Sequence, residues 1–126
     1  MKQELRDEAS LGPVSGLYSQ AIRCGGFLFT TQIGNVRGGP LAGEDMYTQA
    51  VQTLKNASAI LAAAGGSLAD VVKCTIYIVD MADYDALNQA YREWMPQPYP
   101  ARACVQVSRL SPGSRVEMEF VADLSR

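Results

Sequence analysis

Arg102, Cys104 and Gln106 occupy alternate positions of one segment, and Glu117 and Glu119 do the same in the next. Side chains two apart on an extended chain share a face, so each set projects from one side of its strand. A hairpin turning near Leu110 to Gly113 would bring both sets to the same side, provided the register holds. Two chemistries are then open. Arginine beside glutamate on a half-buried face makes a structural ion pair. The same pair makes an anion site, in which the guanidinium grips a carboxylate through two hydrogen bonds and the glutamate activates a water. Cys104 has no histidine to deprotonate it, and a lone cysteine is more often a small buried hydrophobe than a nucleophile.

The chain contains no histidine. That excludes Ser-His-Asp and Cys-His catalysis, His-ligated zinc and imidazole proton shuttles. Acid–base work falls to carboxylates, Tyr, Cys, Lys or bound water. Asp80, Asp83 and Asp85 lack the spacing and glycine of a calcium loop and suit helix capping instead. The glycines of residues 34–43 fit no phosphate-binding motif and predict a surface loop. Cys24, Cys74 and Cys104 are odd in number and far apart, with no CxxC, so neither a disulfide framework nor a zinc knuckle is expected. Eleven Lys and Arg against 13 Asp and Glu give a net charge of -2, which is no footprint for nucleic acid or anionic membrane. The charged start, MKQELRDEAS, lacks the apolar stretch of a signal peptide, and no segment approaches the ~18 apolar residues of a membrane span. The expectation is a soluble protein of a reducing cytoplasm.

The elements that must position these residues fit one domain, residues 1–126, with 1–13 expected as a loose polar arm. Gly25-Gly26 separates two apolar runs, Ala21 to Cys24 and Phe27 to Thr31, and predicts a hairpin. Met46, Ala50, Leu54, Ala57, Leu61 and Ala64 recur every three or four residues and predict a helix over Asp45 to Ala64. Val71 to Val79 is β-branched and predicts a central strand, with Val72, Cys74, Ile76 and Ile78 on its apolar face. A second helix, Asp80 to Met95, carries Tyr84, Leu87, Tyr91 and Met95 as its stripe and ends at the prolines of PQPYP. Arg102 to Ser108 and Arg115 to Ala122 alternate as strands, with Val105 and Val107 on one face of the first. The order β-β-α-β-α-β-β predicts an α+β sheet with two helices on one face. The other face would carry Lys73, Thr75, Tyr77, Arg102, Cys104, Gln106, Glu117 and Glu119, a half-polar surface suited to a subunit interface. Tyr18, in GLYSQA, and Asn88 carry no signal by themselves.

Taken together, GLYSQA (16–21), TTQIG (30–34), the long segment 49–94, PARACVQV (100–107) and RVEMEFVA (115–122) resemble the Rid/YjgF family of reactive-intermediate deaminases. The similarity runs from about Gly16 to Ala122, and Pro-Ala-Arg followed two residues later by Cys is its most specific part. The resemblance implies a chorismate-mutase-like α+β fold and a homotrimer with sites between adjacent subunits. It implies hydrolysis of 2-imino and enamine acids, such as 2-iminopropanoate and 2-iminobutanoate, to 2-oxo acids and ammonia, without a cofactor. By the same resemblance, Arg102 binds the substrate carboxylate and Glu117 positions water. Cys104 presents its backbone amide to the ligand, and Tyr18 and Asn88 line the cleft. The family's Gly-Pro-Tyr is here Gly16-Leu17-Tyr18, and its Ser-Gly-Gln is Thr30-Thr31-Gln32. Thr31 thus puts a side chain where the family has a glycine against the ligand, which narrows the pocket or re-aims the substrate. Three alternatives stand beside this: deamination of a larger enamine acid such as 2-aminomuconate, a non-catalytic regulator that binds 2-oxo acids, and the endoribonuclease or translation-inhibitor activity attached to the family by name. The last is opposed by the missing histidine and basic stripe.

Overall fold

The computed structural model describes residues 1–126. Its strands are β1 (Lys2–Leu5), β2 (Ala21–Cys24), β3 (Phe27–Ile33), β4 (Val71–Ile78), β5 (Ala101–Gln106) and β6 (Val116–Asp123). Its helices are α1 (Glu8–Leu11), α2 (Met46–Ala63) and α3 (Tyr84–Trp94). The strands form one sheet in the order β1-β2-β3-β6-β4-β5. The α+β class and the run β-β-α-β-α-β-β hold from β2 onward. No helix is long and apolar enough to cross a membrane.

Local chemistry explains the main elements. Gly25, at φ 60°, makes the tight turn that lets β2 and β3 pair antiparallel. Asp45 caps α2, its carboxylate accepting from the Thr48 amide at 3.0 Å. The stripe Met46, Ala50, Leu54, Ala57 and Leu61 is buried against the sheet, as its spacing predicts. On α3, Leu87, Tyr91 and the following Met95 are buried, whereas Tyr84 stays at the edge. The opposing core face of the sheet is Leu28, Cys74, Ile76, Ile78, Val116, Met118 and Phe120.

The N-terminal arm is ordered rather than loose. β1 pairs along its length with β2, from Lys2 opposite Cys24 to Leu5 opposite Ala21. Leu11 of α1 is buried, and Gln20 ties the segment down. Its side chain accepts from the Asp7 amide at 2.6 Å and donates to the Gly12 carbonyl at 3.0 Å.

The predicted β5–β6 hairpin does not form. β6 lies between β3 and β4, antiparallel to both, while β5 is an edge strand parallel to β4. A parallel neighbour requires a crossover, which α3 supplies. The register then sets the faces. Arg102 stands opposite Cys74, and Cys104 opposite Ile76, both core positions. Arg102, Cys104 and Gln106 therefore lie on the helix side of the sheet. Lys73, Thr75, Tyr77, Glu117 and Glu119 occupy the open side, as expected. Val105 has the opposite parity from Arg102 and is 43% exposed, so it is not a core residue. On β4, a register shift between Val71 and Lys73 buries Val71 and turns Val72 outward, 45% exposed.

Candidate active site

Arg102 projects from the edge strand toward α3. Its Nη2 donates to Asn88 Oδ1 at 2.8 Å and to Tyr84 Oη at 3.2 Å. Its guanidinium carbon lies 4.6 Å from the centre of the Tyr91 ring and 5.8 Å from that of Tyr84. Tyr84, Asn88 and Tyr91 sit at i, i+4 and i+7 of one helix, so a single face of α3 holds the cation. The chain's salt bridges join Arg6 to Glu4 and Glu8, Arg115 to Asp83, and Arg126 to Asp70; Arg102 is in none of them. Neutral oxygens and aromatic faces orient the guanidinium without neutralising it. Such a group is prepared to receive an anion. Arg102, Asn88, Tyr91, Arg92, Tyr99 and Pro100 line a cavity of about 250 Å³.

Cys104, the next residue on that face of β5, is half-buried and packs against the core. Burial raises its thiol pKa, and the charge of Arg102 only partly opposes that rise. It is therefore a protonated thiol at neutral pH. Burial pushes the Tyr91 hydroxyl up to about 12, and its oxygen is buried with no hydrogen-bond partner.

The second cluster lies on the open side. Thr31 Oγ1 donates to Glu117 Oε2 at 3.0 Å. Tyr77 Oη donates to the neighbouring Glu119 at 2.6 Å, and that bond raises the pKa of the phenol. Tyr18, Thr31, Ile33 and Glu117 line a cavity of about 350 Å³, closed on one side by Leu11 and Pro13 of the ordered arm.

Buried amides fix the loops around this second cavity. Gln49, fully buried on α2, donates to the carbonyls of Gly43 at 2.9 Å and Gly113 at 3.1 Å and accepts from the Arg115 amide at 2.7 Å. Asn56 donates to the carbonyls of Ile33 and Asn35, both at 2.9 Å. Gly34 permits this close approach, because a Cβ there would lie 2.5 Å from the Gln49 carbonyl oxygen.

Of the predicted site residues, the structure brings together Arg102, Asn88 and the adjacent Cys104, and separately Tyr18, Thr31 and Glu117. It does not join the two groups within one chain. Arg102 and Glu117 point to opposite faces, with β4 between their strands and three residues of register offset. Strand spacing and rise put their Cα atoms about 14 Å apart. Neither Glu117 nor Glu119 is an ion-pair partner of Arg102, so the structural ion-pair alternative fails. Sequence reasoning missed Tyr84 and Tyr91 as supports of Arg102, taking them for core residues. Their spacing with Asn88 was the available signal.

Residues 10–124 match the family model described as endoribonuclease L-PSP. A RutC family protein of Pyrococcus horikoshii is 42% identical over 126 residues, covering 97% of this chain and 98% of its own. The putative reactive intermediate deaminase TdcF of Escherichia coli K12 is 34% identical, covering 97% of both chains. Among solved structures, RidA of an Antarctic Psychrobacter superposes with a TM-score of 0.89 at 36% identity, over 96% of this chain and 98% of that one. Escherichia coli TdcF with bound serine gives 0.87 at 32% identity, over 98% and 99%. A match over nearly the whole chain, in sequence and in fold, makes this protein a member of the Rid (YjgF) family, several of whose members bear the name reactive intermediate deaminase.

Proposed function

We propose that this protein hydrolyses 2-imino and enamine acids to 2-oxo acids and ammonia, in clefts between the subunits of a homotrimer. The observation that carries this reading is Arg102, a guanidinium fixed by Asn88, Tyr84 and Tyr91 and left without a carboxylate. The names of the relatives support the same activity. The two clusters on opposite faces support a shared cleft. One subunit supplies Arg102, Asn88 and the Cys104 backbone, and its neighbour supplies Tyr18, Thr31 and Glu117. The partly apolar open face, with Phe27, Phe29 and Val105 exposed, suits burial between copies. Three unpaired cysteines suit a reducing cytoplasm.

In this reading Arg102 holds the substrate carboxylate through its planar fork and fixes the imine carbon relative to Glu117. An enamine substrate that takes a proton at its β-carbon becomes the N-protonated imine directly. Protonation of the imine nitrogen makes its carbon electrophilic, so a weak base suffices and histidine is not needed. Glu117, steadied by Thr31, accepts a hydrogen bond from water and takes its proton as the oxygen bonds to carbon. The carbinolamine passes a proton from oxygen to nitrogen. The C–N bond then breaks, ammonia leaves, and the C=O of the 2-oxo acid forms. Orientation alone lowers the barrier by several kcal/mol. No cofactor is proposed.

Imines generated in situ by an amino-acid oxidase, with semicarbazide competing for them, test the proposal. The protein is expected to lower semicarbazone yield and accelerate 2-oxo acid and ammonia release. No acceleration across several parent amino acids would overturn it.

A further inference from the structure

The cavity beside Arg102 holds a second cation that the reaction does not use. Arg92 lines it together with Asn88, Tyr91, Tyr99, Pro100 and Arg102. Arg92 is one helical turn beyond Asn88, the residue that holds Arg102, so its Cβ is about 6 Å from that of Asn88 on the same side of α3. Like Arg102, Arg92 takes part in none of the chain's salt bridges. Its sequence neighbour Glu93 is engaged elsewhere, accepting from Tyr47 and Gln89. The same cavity is lined by Tyr91, whose ring lies against the Arg102 guanidinium. Two guanidinium groups without a carboxylate partner thus border one small cavity. An anionic group entering between two unpaired guanidinium groups relieves whatever repulsion solvent leaves unscreened.

We infer that Arg92 forms a second carboxylate subsite, and that the preferred substrates are 2-imino acids whose side chain ends in a carboxylate. Arg102 takes the carboxylate next to the imine carbon, and Arg92 takes the distal one. Both guanidinium groups border one cavity of about 250 Å³, room for a short carbon chain with a carboxylate at each end. Arg92 stands at the exposed rim of the cavity, so its contribution is to discrimination between substrates more than to the reaction itself. This inference rests on the assignment of Arg102 as the carboxylate anchor.

Binding of the product-like acids tests it without depending on turnover. The wild-type protein is titrated calorimetrically with 2-oxoglutarate, which has a distal carboxylate, and with 2-oxobutanoate, which lacks one. The expected preference for 2-oxoglutarate is about tenfold, the value of one hydrogen-bonded charge pair at a partly exposed site. Arg92→Gln is expected to reduce that preference to about threefold or less, and Arg92→Lys to retain part of it. The ratio of the two affinities is the readout, so a general loss of folded protein does not mimic the effect. Equal binding of both acids by the wild type, or an undiminished preference in Arg92→Gln, would overturn the subsite while leaving Arg102 as anchor. Failure of the wild type to bind either acid would overturn the anchor as well.

Discussion

Replacing Arg102 by alanine separates a functional arginine from a structural one. The side chain gives two hydrogen bonds, to Asn88 and Tyr84, and lies on the ring of Tyr91. It has no carboxylate partner, so its removal leaves no buried acid unpaired. What the fold loses is one stacking contact and two hydrogen bonds to neutral groups at the sheet edge, about 1–2 kcal/mol in all. For a domain of this size that lowers Tm by roughly 3–8 °C. The substrate loses far more. Removing one partner of a desolvated, hydrogen-bonded charge pair costs about 2–5 kcal/mol. Such a loss lowers kcat/KM by about 30-fold to several thousand-fold. Arg102→Lys is expected to fail nearly as badly, because an ammonium cannot reproduce the planar fork. The assay is imine hydrolysis by semicarbazone competition, run beside a thermal melt on the same preparations. A stable, fully active Arg102→Ala protein would refute the reasoning. So would a collapse in Tm large enough to explain the lost activity by unfolding.

Glu117→Gln keeps the shape and loses the base, and is expected to lower kcat by about 100-fold or more with little change in Tm. Thr31→Gly removes the hydroxyl that steadies Glu117 and opens the cavity, so relative rates on bulky imines should rise against small ones; unchanged ratios would show that Thr31 does not face the substrate. Tyr91→Phe deletes a buried hydroxyl that has no partner in the free protein and should raise stability by about 1 kcal/mol, measured by denaturant titration. Alkaline stability follows from two buried acids. Cys74 is pushed up from 9.0 to about 12, and Tyr91 from 10.0 to about 12, both chiefly by burial. The unfolded chain releases these protons first, so their stabilisation is complete below pH 9 and is lost as pH rises from 9 toward 12. Each group lowers stability by up to about 1.4 kcal/mol per pH unit within that window. A Tm profile that stays flat from pH 9 to 11 would contradict this.

Local periodicity made most of the fold legible. The α2 stripe, the Gly25-Gly26 turn and the helix-ending prolines each follow from residues close in sequence, and each is found where expected. Features decided by distant pairings were not legible. Whether Arg102 faces the helices depends on which β4 residue it meets after the α3 crossover, and nothing near Arg102 encodes that register. The bulge at Val71 exchanges one valine for another in the core, so composition cannot reveal it. The arm over Lys2–Leu5 has one apolar residue and is ordered by pairing with β2, a backbone interaction with little side-chain signature. Arg102 and Glu117 stood out by strand spacing, and Tyr18, Thr31 and Asn88 only by resemblance; the division of these candidates into two clusters was not legible. The bond between Thr31 and Glu117 spans 86 positions and exists only because β3 pairs with β6. By contrast, the shared face of Tyr84, Asn88 and Tyr91 was written in helical spacing within one segment, whereas its meeting with Arg102 was not.

The claim that two neighbouring chains complete each cleft is tested most directly by mixing two inactive proteins. Arg102→Ala retains an intact Glu117 cluster, and Glu117→Gln retains an intact Arg102 cluster. After denaturation and joint refolding at equal amounts, random assembly gives about one cleft in four with both halves native. The account predicts recovery of about a quarter of wild-type imine hydrolysis in the mixture, with neither protein active when refolded alone. No recovery, in a sample shown by native mass spectrometry to contain mixed trimers, would contradict it.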